Sequence, residues 1–177
     1  MSKFLALDFE TANPYPDSAC AIGLVRVENQ QVVEEVVHLI KPPQQWFTFT
    51  DIHGLTWEDV RQAPDFGRLW QQILHFFEGV YFISAHNAGF DTRVLSALCK
   101  RYLIEIPPMR SVCTVRLARK TWSIFPTKLS NVCSKLGIEL NHHEALSDAR
   151  ACAQIVIQAQ QKELAERLKE PSFELGN

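Results

Sequence analysis

Asp8 and Glu10 stand two apart in the segment Phe4-Leu5-Ala6-Leu7-Asp8-Phe9-Glu10-Thr11. In an extended chain alternate side chains share a face, so both carboxylates project together. The carboxyl end of a strand in an α/β sheet is a common ligand site. Two anions placed there repel unless a cation lies between them, and hard oxygen donors favour magnesium or manganese. Taken alone, the pair is equally well read as a solvated strand end. A third acid, Asp91, follows His86-Asn87-Ala88-Gly89-Phe90 and opens a helix, where N-capping alone would account for it. His86 and Asn87 read as turn residues. The fourth acid, Asp148, closes Asn141-His142-His143-Glu144-Ala145-Leu146-Ser147-Asp148. An Asp inside an Ala- and Leu-rich helix has poor propensity, and a partner would explain it. His143, on the preceding loop, can converge with it. A zinc site is a poor fit, because zinc wants three or four N/S ligands and the other candidates are carboxylates.

The elements that must carry these groups are legible in outline. Phe4–Phe9, Ala21–Val27 and Val32–Ile40 read as three strands, the last two joined by a hairpin at Glu28-Asn29-Gln30-Gln31. Thr56-Trp57-Glu58-Asp59 has the spacing of an N-cap box before a short helix. Phe66, Leu69, Trp70, Ile73, Leu74 and Phe77 recur at helical spacing between Asp65 and Glu78, with Gly79 as the stop. Val80–Ile83 is a fourth strand. Val94, Leu95, Leu98, Cys99 and Tyr102 mark a helix closed by Pro107-Pro108. A short strand near Ser111–Cys113 leads into helices at Thr114–Trp122 and Lys128–Leu136, the latter stopped by Gly137. A last helix runs from about Glu144 to Lys169. Strands first in succession and then alternating with helices indicate a mixed sheet flanked by helices.

The 177 residues are 46% apolar, which suits one domain (residues 1–170 with a tail at 171–177). No apolar run approaches the ~18 residues of a membrane helix, and the amino terminus lacks the pattern of a signal peptide. Five widely spaced cysteines without a C-x-x-C pair point to reduced thiols in a cytoplasm. The formal charge of −2 argues against a protein that coats long stretches of duplex. Binding a few nucleotides is still feasible if metal ions supply positive charge.

Taken in order, Asp-Phe-Glu-Thr (8–11), His-Asn-Ala-Gly-Phe-Asp (86–91) and His-Glu-Ala-Leu-Ser-Asp (143–148) resemble the three motifs of the DEDDh 3′–5′ exonucleases. No acidic motif position is missing. The similarity runs from about Phe4 to Ala153 and takes in Ile52-His53-Gly54-Leu55-Thr56. Cys113–Arg119 is similar to a stand-alone branch related to the epsilon subunit of DNA polymerase III. The resemblance implies a ribonuclease H-like α/β fold: a five-stranded mixed sheet ordered 3-2-1-4-5, strand 2 antiparallel, flanked by helices. It also implies two divalent ions, Mg²⁺ or Mn²⁺, held by Asp8, Glu10, Asp91 and Asp148, with His143 as general base. Phe9 and Thr11 would lie along the terminal sugar, His53 and Leu55 near the last base, and Asn87 near a phosphate. Core packing is the alternative for Phe9 and Leu55. Arg116, Arg119 and Lys120 fall near one another on a helix and can meet incoming phosphates or simply face solvent.

The expected partner is therefore a nucleic-acid 3′ end, DNA before RNA, hydrolysed to nucleoside 5′-monophosphates. An RNA-directed enzyme of the same fold is a second reading, since no clear reader of the 2′-hydroxyl is evident. A proofreading subunit docked on a DNA polymerase is a third, weakened because only Lys162–Asn177 follows the last motif's helix. Gln72–Phe76 faintly resembles a sliding-clamp peptide, but its apolar residues already serve a helix. A catalytically silent nucleic-acid-binding module would have lost a carboxylate. A homodimer is open, with Ile155, Val156 and Ile157 on the last helix.

Overall fold

The computed structural model describes residues 3–106 and 108–167. Its elements are β1 (Lys3–Thr11), β2 (Ala19–Glu28), β3 (Gln31–Leu39), α1 (Thr50–His53), α2 (Trp57–Val60) and α3 (Phe66–Phe77). There follow β4 (Phe82–Ala85), α4 (Gly89–Tyr102), β5 (Arg110–Cys113), α5 (Thr114–Trp122), α6 (Leu129–Leu136) and α7 (Ala145–Arg167). The strands form one sheet in the order β3-β2-β1-β4-β5. β2 is antiparallel to β1 and β3, while β4 is parallel to β1 and β5. This is the mixed sheet that the resemblance implied.

Alternation along β1 decides which face carries what. Leu5, Leu7 and Phe9 enter a core with Phe66, Leu69 and Ile73 of α3 and Val94 and Leu98 of α4. Phe4 and Ala6 face the other way, onto Ala149, Cys152, Ala153 and Val156 of α7. Asp8 and Glu10 continue that second row, so period-two geometry aims both at the start of α7. The small residues of α7 let it lie close to the sheet. The helix end meets the sheet at Gly23, the ladder partner of Asp8. A Cβ there would overlap the Ala145 carbonyl at the first residue of α7. Glycine at position 23 thus seats the helix end beside Asp8.

The β2–β3 hairpin turns through Asn29 (φ 52°) and Gln30 (φ 64°), both left-handed as a two-residue type I′ turn requires. The N-cap signature at Thr56 holds: the Asp59 carboxylate accepts the Thr56 N–H at 2.7 Å and its hydroxyl at 2.6 Å. Ile73 and Phe76 are buried in α3, so the clamp-like stretch is helix core. β4 lies two residues later than apolar counting predicts. Ser84 and Ala85 complete it because small side chains fit at its buried end, while Tyr81 is exposed. α1 buries no residue and carries no apolar stripe, so periodicity does not announce it. The predicted end of the last helix at Lys169 and the tail lie outside the described residues. Cys20, Cys99, Cys113, Cys133 and Cys152 are free. Among the described residues, no helix is long and apolar enough to cross a membrane.

Candidate active site

Asp148 sits in the first turn of α7, over the carboxyl end of β1. One carboxylate oxygen from each of Asp8, Glu10 and Asp148 lies within 4.8 Å of the other two. Asp91 approaches from α4. It is not the N-cap that local sequence suggested: Ala88 holds that position, and Asp91 is the third helical residue. Its side chain points into the protein, 1% exposed. Its Oδ1 accepts the Phe9 N–H at 3.1 Å. Its Oδ2 is buried with no hydrogen-bond partner. An orphaned carboxylate oxygen in the interior is costly unless a proton or cation meets it.

The electrostatics say the same of all four. Burial, then the charges of Asp91, Asp148 and Glu10, hold the Asp8 carboxyl well above the ordinary carboxylate range. Glu10 is pushed up to about 8 by burial and by Asp148 and Asp91. Asp91 is raised to about 7, chiefly by burial. Burial also raises Asp148, against the pull of His142. Without a cation these groups hold protons that the unfolded chain would release, so the folded state binds more protons and stability falls as pH rises. With chelator, Tm is expected to drop on the order of 5–10 °C between pH 5 and pH 8. Divalent cation should restore it at pH 8, which differential scanning fluorimetry reads directly. A Tm independent of pH in chelator would mean that the cluster is not under this strain.

The imidazoles divide into a pair and two braces. His142 Nδ1 lies 3.0 Å from Asp148 Oδ2, a contact that the sequence did not announce. The His143 backbone N–H reaches the same oxygen at 3.4 Å, and the residue adopts φ 68°. The two rings stack at 3.8 Å, and a nitrogen of each lies within 4.8 Å of the Asp148 carboxylate. His53 is half-buried. Its Nε2 meets the Thr11 carbonyl at 3.1 Å, and its Nδ1 accepts the Leu55 N–H at 3.1 Å. A carbonyl only accepts, so Nε2 carries the proton. Burial lowers its pKa, which keeps that neutral tautomer.

His86 is more than a turn residue. Nε2 donates to the Thr127 carbonyl at 3.0 Å, and Nδ1 accepts from the Thr114 hydroxyl at 2.8 Å. It thereby ties the β4–α4 loop to the start of α5 and to the loop before α6. Composition offered no signal for this, since both partners are distant threonines.

The other candidates separate. Thr11 is buried beside His53, and Leu55 is half-buried against Ala12, Cys20 and Val60. Asn87 is exposed with φ 67° at the entrance to α4. The Phe9 ring lies in the core, 6.4 Å from that of Phe66. Only its backbone faces the cluster. Lys120 lines a separate groove between α5 and the end of α7, whereas Arg119 turns to Thr127 and Phe125.

Comparison with known proteins accords with this geometry. The RNase_T family model, described as an exonuclease, matches residues 5–156. The PolC-type DNA polymerase III of Thermotoga petrophila is 32% identical over 160 residues, covering 88% of this chain but 12% of that protein. Exodeoxyribonuclease 10 of Escherichia coli K12 is 30% identical over 151 residues, covering 77% of this chain and 59% of that one. The chain thus spans less than two thirds of either relative. Among solved structures, exonuclease X in complex with 5′ overhanging duplex DNA superposes with a TM-score of 0.70 at 24% identity, over 89% of this chain and 91% of that one. E. coli exonuclease I in complex with a dT13 oligonucleotide gives 0.76 at 20% identity, over 95% and 43%. With the family model covering most of its length, the chain belongs to the RNase_T exonuclease family, within the DEDDh 3′–5′ exonuclease superfamily.

Proposed function

We propose that the protein is a divalent-cation-dependent 3′–5′ exonuclease that releases nucleoside 5′-monophosphates, with single-stranded DNA as its main substrate. The convergence of Asp8, Glu10 and Asp148, beside the unpartnered Asp91 oxygen, carries this reading. An all-oxygen donor set suits Mg²⁺ or Mn²⁺. Asp8 would serve two ions, Glu10 and Asp148 would complete the first site, and Asp91 would support the second. When bound, such ions neutralise charge at phosphorus and ease departure of the 3′-oxygen.

The chain's own residues supply the rest. His143 takes the proton of the attacking water, general-base work suited to a neutral imidazole. The Phe9 N–H orients Asp91. Thr11, with the His53 ring fixed on its carbonyl, and Leu55 border the terminal nucleotide. Asn87 reaches its phosphate.

DNA is favoured over RNA by the name of exodeoxyribonuclease 10, 30% identical over 151 residues. The PolC-type relatives make a polymerase a candidate partner, and the exposed edge strand β3 leaves room for a second copy. Digestion of matched single-stranded DNA, duplex DNA and RNA, following released mononucleotides, tests the substrate. Activity should appear with Mg²⁺ or Mn²⁺ and vanish in excess chelator. Ca²⁺ should bind yet support little turnover, its looser coordination ordering reactants poorly. Full activity in chelator would remove the metal-dependent mechanism.

A further inference from the structure

Phe125 stands 67% exposed on the loop between α5 and α6. The ring is held in place, not left loose. The Arg119 guanidinium lies over it, 5.4 Å from its centroid. Arg119 Nε donates to the Thr127 hydroxyl at 2.9 Å, and that hydroxyl donates to the Ile124 carbonyl at 3.0 Å. Of a guanidinium's five N–H donors this loop contact uses one. The same loop is fastened to the rim of the active site, because His86 donates to the Thr127 carbonyl at 3.0 Å. His86 belongs to the β4–α4 loop, which leads directly into the first turn of α4, where Asp91 stands. An exposed aromatic face and a cation are therefore fixed together on a loop tied to the segment that leads into Asp91, and the exposed Lys128 follows Thr127 on the same loop.

We propose that Phe125 and Arg119 form a stacking platform for an unpaired nucleotide upstream of the 3′ terminus, a base lying on the ring and a phosphate meeting the guanidinium. The platform rests on the exonuclease reading and deepens it by naming the residues that hold the unpaired strand upstream of the terminal nucleotide. A base inside a duplex has both faces covered by neighbours, so only an unstacked one can use the ring. Stacking also answers the charge problem. With a formal charge of −2 the chain has no excess of positive charge with which to hold a strand by its phosphates alone, whereas base–aromatic stacking is tolerant of sequence and contributes about one to two decades of affinity per base. An exposed ring contributes little to the core, so Phe125→Ala should fold normally.

The test compares wild type, Phe125→Ala and Phe125→Trp on a single-stranded 12-mer DNA and on p-nitrophenyl thymidine 5′-phosphate, which has no upstream nucleotide. Phe125→Ala should raise KM for the 12-mer about tenfold, with kcat within about twofold. Its ratio of kcat/KM for 12-mer over ester should fall about tenfold, and Phe125→Trp should restore it. An unchanged ratio in an active protein overturns the platform and leaves the exonuclease reading standing. Wild type inert on both substrates overturns the reading, and the platform with it.

Discussion

Replacing Asp8 with Asn is expected to lower cleavage by roughly 10³-fold or more, since lost charge stabilisation of several kcal/mol costs a decade per ~1.36 kcal/mol. The charges of Asp91, Asp148 and Glu10 all raise the pKa of Asp8, so its carboxylate lies within reach of each of the other three. An amide keeps its shape and brings no negative charge. The fold should survive, as the ladder of β1 with β2 uses backbone groups only. Removing one of four mutually repelling acids should even raise Tm in chelator at pH 8, where the wild-type cluster is most strained. Calorimetric titration with Mn²⁺ should show weakened or lost binding in the same variant. Near-normal turnover by Asp8→Asn would mean that the metal site lies elsewhere.

His143→Ala should reduce kcat by about 10²–10⁴-fold, the worth of a positioned general base. Affinity for the cation should hardly change, because the role assigned to the imidazole is toward water. The neighbouring His142 makes a demanding control. Spacing assigns it no part, yet in the structure it is His142 that pairs with Asp148 at 3.0 Å. A side chain bonded to a candidate ligand competes with the cation for it. His142→Ala should therefore keep kcat within about threefold and bind Mn²⁺ at least as tightly as wild type, the stacked ring of His143 losing only its neighbour. Steady-state kinetics and calorimetry on the pair give the answer. If His142→Ala is the more damaging in kcat, the two roles are exchanged.

What the sequence determined by itself was the kind of chemistry and the local geometry that serves it. Two acids at strand spacing must share a face whatever the rest of the chain does, and an acid in an apolar helix signals a partner. The three motifs in order carried the family and, through it, the strand order that periodicity alone does not contain. Tertiary structure decided which groups meet. Asp91 looks locally like any N-cap; only the Phe9 N–H, 82 residues away in the chain, shows that it faces inward. Gly23 is an unremarked glycine in a strand until Ala145 is laid against it. His142 and His143 differ by one residue, yet both rings lie beside Asp148, with the backbone left-handed at His143, φ 68°. Phe9, read from its motif as a sugar contact, puts its ring in the core, because alternation along β1 sends it to the face opposite Asp8. His86 ties two threonines that stand 28 and 41 residues beyond it. Period and propensity act over a few residues. Convergence of carboxylates, and the strain it stores, depends on contacts between segments far apart in the chain, which exist only once the sheet and α7 have packed.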